Sequence, residues 1–322
     1  MALKKKPWLL VLLPMMLLSL FGYCLWYAKS AEVIHANWAI SGVVGGCAAL
    51  LSGVPVVCTL RGDDVTRAQR SMIDRMILRC CVRLSRKLVT VSQAIMDQVG
   101  QLIPARQGDL VLIENGVGEE FLQLTHTPAQ GLDGQLHLLS IGSLIERKGM
   151  DILLQALAHP ELGEGITLTI AGDGPEMPSL QDMSRSIGLT ERVAFVGKVE
   201  PSRTVQLFAG ADVFVLASHS EGRPNVIIEA MAAGLPVLAS NIEGVNELVH
   251  DQETGLLFPD NDAASLAHCI LILEKDDEKR LSLGEQGRAS IRAMGLTWSR
   301  TAQRYRQVFQ DVIQAGRSCA VS

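Results

Sequence analysis

No Cys-x-x-Cys pair occurs in this chain, and its seven cysteines are an odd number in which only Cys80 and Cys81 adjoin. Such usage excludes the disulfide framework of a small secreted domain and points to a reducing compartment. The seven histidines (His35, His126, His137, His159, His219, His250 and His268) are scattered, without the spacing that holds zinc. No Asp-x-Asp pair is read as a metal motif at a strand end, so neither a catalytic metal nor a cofactor is expected. Internal repeats and low-complexity stretches are missing as well. A nucleic-acid partner is not expected.

What is present is length and pattern. A chain of 322 residues has room for two domains and a sizeable core. Apolar strands alternate with helical stretches, the pattern of parallel α/β sheets. Charge is divided unevenly: residues up to Arg106 hold 13 Lys+Arg against 5 Asp+Glu, and the remainder holds 16 against 29. Much of the basic excess (Arg67, Arg70, Arg75, Arg79, Arg83, Arg86, Lys87) falls on one helical stretch, expected over about 68–86. A basic front half suits an anionic membrane or acceptor, and one solvated helix face gives the same composition. Lys4-Lys5-Lys6 precedes an apolar run from Trp8 to Tyr27 that is long enough to span a hydrocarbon core. No clear small-residue cleavage site marks it as a signal peptide. Two readings stay open: an anchor, or an apolar helix of the domain itself, interrupted by Pro14 and Gly22. Both put the protein at the cytoplasmic face of a membrane.

The stretch from Ser218 to Ser240 carries the most chemistry. Glu221 and Glu229 bracket Gly222-Arg223-Pro224, a loop turning into a helix that starts near Asn225 and stops at Gly234, with Pro224 suited to the first helical turn. A helix N-terminus beside a glycine turn favours phosphate, because its unpaired N–H groups and its dipole act together. Carboxylates on either side accept hydrogen bonds from sugar hydroxyls. Upstream, the strand Leu138–Ile141 ends in Gly142 and leads to Arg147-Lys148-Gly149 before a helix from Met150 to Ala158. Adjacent cations in such a loop suit a diphosphate. A solvated basic turn is the plain alternative. Strands ending at Gly172-Asp173-Gly174-Pro175, at Gly197 and at Ala217 add loops that face one crevice.

Together these segments, with Gly255-Leu-Leu-Phe258, resemble the donor-binding half of glycosyltransferase family 4 in order across residues 135–296. The resemblance implies a GT-B fold, two Rossmann-like parallel-sheet domains facing a cleft, and a retaining transfer from a nucleoside diphosphate sugar to an acceptor hydroxyl. It implies that Arg147 and Lys148 hold the diphosphate, that Glu229 accepts the ribose hydroxyls and that Glu221 faces the transferred sugar. Gly142, Gly172, Gly174, Gly197, Gly222, Asn225 and Val226 complete the donor site. Developing charge on the leaving diphosphate would be stabilised by Arg147, Lys148 and the helix start, so Glu221, Arg147 and Lys148 are the catalytic set. The acceptor is expected to be lipid-linked or a polysaccharide.

Strands at Val33–Ala36, Pro55–Leu60, Leu88–Val91 and Leu110–Ile113 resemble the second half of the acceptor domain in that family. Its opening strand and glycine-rich loop have no counterpart here, so the first domain is expected to be truncated. Where many relatives carry histidine before Gly-x-Asp, this chain has Arg61-Gly62-Asp63-Asp64; Arg61 and Asp64 mark the acceptor side, and arginine there suits an anionic acceptor. His35 is expected to be structural in a buried strand. The expected divisions are 1–27, 28–130, 131–296 and 297–322, the last a helix crossing back to the first domain. The alternative is a remnant that binds nucleotide without an acceptor site. A paired-carboxylate glycosidase leaves the phosphate-binding features unexplained.

Overall fold

The computed structural model describes residues 11–124 and 135–320. The expected boundary at 130/131 and the start of the Trp8–Tyr27 run lie outside the described residues. Two compact units make up the chain: one runs to Glu114 and takes in the tail from Thr301, and the other is Asn115–Arg300.

In the first unit, helix α1 (Leu12–Ala28) leads into four parallel strands in sequential order: β1 (Ile34–Asn37), β2 (Val56–Leu60), β3 (Lys87–Thr90) and β4 (Leu110–Leu112). Crossovers are α2 (Ala39–Ser52), then α3 (Asp63–Arg70) and α4 (Met72–Leu84), then α5 (Gln93–Leu102). β2 is buried at every position, as a strand covered on both faces must be. β1 is an edge strand, so His35 is not enclosed in the sheet, contrary to expectation. Its ring shares a 2.9 Å hydrogen bond with Thr59 and packs on Tyr305 and Phe309. Burial and the nearby Arg61 guanidinium hold His35 below the ordinary histidine pKa.

The single basic helix expected over 68–86 is two helices. Ser71 is extended (φ −126°, ψ 127°), and its hydroxyl accepts from the Asp74 N–H to start α4. Arg75 closes the end of α3 by donating to the Ala68 and Gln69 carbonyls. α2 packs tightly because Gly42 and Gly46 leave room: a Cβ would lie 2.4 Å from Cys81 Sγ at the first and 2.4 Å from Leu84 Cβ at the second.

The second unit opens with α6 (Glu119–Leu122) and holds six parallel strands: β5 (Leu136–Ile141), β6 (Ile166–Ala171), β7 (Val193–Gly197), β8 (Val213–Leu216), β9 (Val237–Ser240) and β10 (Leu256–Phe258). Their order is β10-β9-β8-β5-β6-β7. Helices α7 (Met150–Leu157), α8 (Met177–Ser186), α9 (Pro201–Ala209), α10 (Asn225–Ala233), α11 (Ala263–Lys275) and α12 (Asp277–Met294) cover its faces. Leu138, Leu153, Ile170, Val215 and Ile270 fill one side of this sheet, and Phe208, Phe214, Ile227, Met231 and Leu248 the other. The chain winds outward from β5 to β7, then returns to lay β8 against the other edge of β5. That reversal is a topological switch point, where loops at the strand carboxyl ends part to make a crevice. A last helix, α13 (Trp298–Ala320), begins in this unit and continues in the first.

Candidate active site

The two strands flanking the switch point supply the charged groups. Gly142 ends β5, and the chain then makes a single 3₁₀ turn at Glu146–Lys148. Gly149 follows with φ +57°, a left-handed conformation that opens α7. A Cβ there would lie 2.0 Å from the Ala217 carbonyl oxygen, so only glycine lets this turn press against the end of β8. The approach brings the two loops together. Lys148 Nζ donates to Glu221 Oε1 at 2.5 Å, and Arg147 Nη1 lies 3.8 Å from Glu221 Oε2 while donating to the Ser220 carbonyl at 2.8 Å. The Arg147 carbonyl accepts the His219 N–H at 2.9 Å. Glu221 is only 9% exposed, Lys148 14% and Arg147 36%, so a nearly enclosed carboxylate sits below a more open guanidinium.

The glycine turns form a second layer. Gly142 N–H donates to the Ala171 carbonyl and Gly172 N–H to that of Gly197, which ties the ends of β5, β6 and β7 into one rim. A Cβ on Gly174 would lie 2.2 Å from the Leu144 carbonyl oxygen, so this position is fixed by close approach of backbone. Gly222 begins the turn into α10, and the Gly244 backbone abuts the Glu221 and Gly222 carbonyls from the following loop.

No side chain caps α10, so its N-terminal N–H groups are offered to an anion. Pro224 is the N-cap residue, one position earlier than expected. Asn225 starts the helix and accepts from Asn115 Nδ2 at 2.9 Å; Val226 follows, half-buried. Glu229 lies one turn on. Burial, with Glu120 adding like charge, pushes its carboxyl up to about 7.

Arg223 is a site residue that sequence reading missed. Its side chain is 1% exposed and its Nη1 lies 3.4 Å from Glu247 Oε2, anchoring the turn between the two glutamates. The signal available was an arginine between two carboxylates, in a loop where a solvated side chain reads equally well. An Asp-x-Asp sequence also follows β10, at Asp260-Asn261-Asp262, where none was expected. Asp262 caps α11 through the Ser265 N–H at 2.9 Å, and Asp260 pairs with His219 Nδ1 at 2.7 Å. Among the described residues, no three His, Cys, Asp or Glu side chains converge as a metal site requires.

Arg61 and Asp64 lie in the first unit, after β2. Arg61 donates through Nε and Nη2 to Asn37 Oδ1 at 3.1 and 2.9 Å. Asp64 accepts the Ala39 N–H on one oxygen and the Gly62 and Val65 N–H groups on the other. Its carboxylate thus ties α2 to the start of α3, whereas Arg61 is held by a side chain, that of Asn37.

Comparison with known proteins now bears on this geometry. The family model described as Glycosyl transferases group 1 matches residues 125–290, more than half of the chain, and that described as Glycosyltransferase Family 4 matches residues 3–121. An uncharacterized glycosyltransferase of Methanocaldococcus jannaschii is 25% identical over 287 residues, 88% of this chain and 77% of the relative. The N-acetyl-alpha-D-glucosaminyl L-malate synthase of Bacillus anthracis is 24% identical over 296 residues, 89% and 76% of the two chains. The glycogen synthase of Mycobacterium tuberculosis is 30% identical over 251 residues, 74% of this chain and 59% of that one. Among solved structures, HepE of Anabaena in complex with UDP-glucose superposes with a TM-score of 0.80 at 24% identity, covering 90% and 82% of the chains. Sucrose-phosphate synthase from Thermosynechococcus elongatus gives 0.81 at 24%, covering 96% and 80%. The two parallel-sheet units are therefore of the GT-B kind.

Proposed function

The chain belongs to the glycosyl transferases of group 1, and we propose that it is a retaining enzyme that moves a sugar from a nucleoside diphosphate sugar to an acceptor hydroxyl in cell-surface polysaccharide or glycolipid synthesis. One observation carries the donor half of this reading. Arg147 and Lys148, from the loop after β5, converge on Glu221, from the loop after β8, beside the uncapped start of α10. Two cations and a helix terminus suit a diphosphate, and the carboxylates suit hydroxyls on either side of it. In this reading Arg147, Lys148 and the N–H groups from Gly222 to Val226 hold the phosphates. Gly142, Gly172, Gly174 and Gly197 let the backbone come close to the donor. Glu229 accepts the ribose hydroxyls, and Glu221 faces the sugar.

Cleavage of the donor leaves negative charge on a diphosphate, so the site works by stabilising that charge in place. A donor phosphate oxygen takes the acceptor proton, and no metal enters. Arg61 meets an anionic group of a lipid-linked or polysaccharide acceptor, and the enzyme works at the cytoplasmic face of a membrane. Similar structures hold UDP and UDP-glucose, which makes a uridine nucleotide the first donor to try.

Calorimetry with UDP tests the clamp. Charge-assisted contacts contribute about 1.5–3 kcal/mol each, so replacing Arg147 and Lys148 by alanine is expected to weaken UDP binding at least tenfold per charge, on that order. An unchanged Kd in a folded double variant removes both residues from the site. A chain that binds nucleotide sugars yet transfers nothing to any acceptor favours a nucleotide-binding remnant instead.

A further inference from the structure

Three helices of the first unit lie side by side, with α2 packed between α1 and α4. Leu13, Leu17, Phe21 and Leu25 of α1 recur every four residues and turn toward α2, where they are half-buried. The opposite side of α1 is bare: Met15, Leu18 and Trp26 are 66–70% exposed. α2 continues the same apolar surface with Leu50 and Leu51, at 73% and 69%. Neither helix carries a charged side chain.

α4 forms the border of this surface. At 100° per residue, Met72, Met76, Arg79 and Arg83 share one outward face. Met72 and Met76 are 80% and 61% exposed, with Ile73 beside them, and both arginines are exposed as well. The only acid of α4, Asp74, is turned away toward Arg67 at 3.1 Å. The outward face of α4 is therefore apolar residues edged by Arg79 and Arg83, with no acid of α4 beside them. At the far end of α1, Lys29 sits over the Trp26 ring at 5.4 Å, next to the exposed Tyr27. Aromatic rings beside a cation at the rim of an apolar surface match the chemistry of a bilayer interface.

We propose that the outward face of α1, α2 and α4 docks in the plane of a bilayer containing anionic lipid. Soluble monomers rarely leave so extended an apolar area uncovered. None of the described helices is long and apolar enough to cross a membrane. An in-plane seat lets the apolar side chains enter the acyl boundary while Arg79 and Arg83 meet lipid phosphates. A second copy of the chain fits less well, because a two-fold contact through this face would set arginine rows against one another. The inference stands apart from donor binding, which is measured without vesicles.

Flotation of the full chain with vesicles tests it, using phosphatidylcholine alone and phosphatidylcholine with about one part in four phosphatidylglycerol. The protein is expected to float with the anionic vesicles and to be released toward ~1 M salt. Arg79→Glu with Arg83→Glu should lower the floated fraction at low salt about tenfold or more, and Met72→Ser with Met76→Ser should lower it there as well. UDP affinity and circular dichroism unchanged in these variants exclude misfolding as the cause. No flotation at low salt, or flotation indifferent to both variant pairs, overturns the proposal. So does a detergent-free dimer abolished by the methionine variants, because the face is then covered by a second copy.

Discussion

Glu221 and Glu229 are the same residue type eight positions apart, yet their surroundings divide their work. Glu221 is held by Lys148 at 2.5 Å and lies on the loop that faces the cations. Glu229 is half-buried in helix α10, where burial and the like charge of Glu120 raise its carboxyl to about 7. In the proposed site Glu229 grips the ribose, which changes little during transfer, so Glu229→Gln should chiefly weaken donor binding. Glu221 faces the sugar, where charge and geometry change most, so Glu221→Gln should lower kcat with UDP affinity nearly kept. The raised carboxyl adds a pH signature. An ionised carboxylate accepts hydroxyl donors more strongly than a neutral one, so UDP-glucose affinity should climb as pH rises through about 7. The folded state holds this proton more tightly than the unfolded chain does, so the stability Glu229 contributes is present below about pH 4.5 and is lost as pH rises toward 7. Both slopes should flatten in Glu229→Gln, read by calorimetry and by thermal melts between about pH 5 and 8. Identical profiles in wild type and variant would dissociate Glu229 from the donor. At this scale the residue types were legible in sequence and their partners were not. The Arg223–Glu247 pair and the bond from the Ala39 N–H to Asp64 join positions that sequence spacing alone does not bring together.

Elements were legible where their boundaries rest on local chemistry. Gly172 after β6, Gly197 at the end of β7 and the Gly234-Leu235-Pro236 stop of α10 announce strand and helix ends in the chain itself, because each glycine takes a conformation few other residues permit. The break at Ser71 was not legible. Its helical pattern runs unbroken on either side, and the interruption depends on a serine hydroxyl choosing the Asp74 N–H over solvent. That choice is testable. Ser71→Ala removes the cap of α4 and is expected to cost about 1 kcal/mol, seen as a lower urea midpoint with unchanged slope. UDP affinity should hold, since the proposed donor residues lie in the other unit. No loss of stability would mean that the Arg75 bonds to Ala68 and Gln69 fix the break without the serine.

On the scale of the whole molecule, parallel winding explains why the proposed donor residues gather where they do. Arg147 and Glu221 are 74 positions apart, and they meet because β8 returns to pair with β5 after the chain has wound out to β7. Sequence reveals the alternation of strand and helix but not the order of strands, since every strand here is a short apolar run able to pair with any other. The two units also share the chain unequally. Helix α13 starts in the second unit and then belongs to the first, where Val308 and Val312 pack with Val57, Val89 and Ile113, and Tyr305 shares a 3.0 Å hydrogen bond with Thr59. The tail is thus a structural part of the unit that holds Arg61. Val312 is 2% exposed, and Val312→Ala deletes two buried carbons at a cost of about 2 kcal/mol. The expected result is a lower melting temperature and slower transfer, because β2 and β3 of the first unit lose their cover. The Kd for UDP should stay within about twofold, a change under 0.5 kcal/mol. If UDP binding falls with stability instead, the donor site depends on the tail, and the second unit cannot be treated as a self-sufficient nucleotide module.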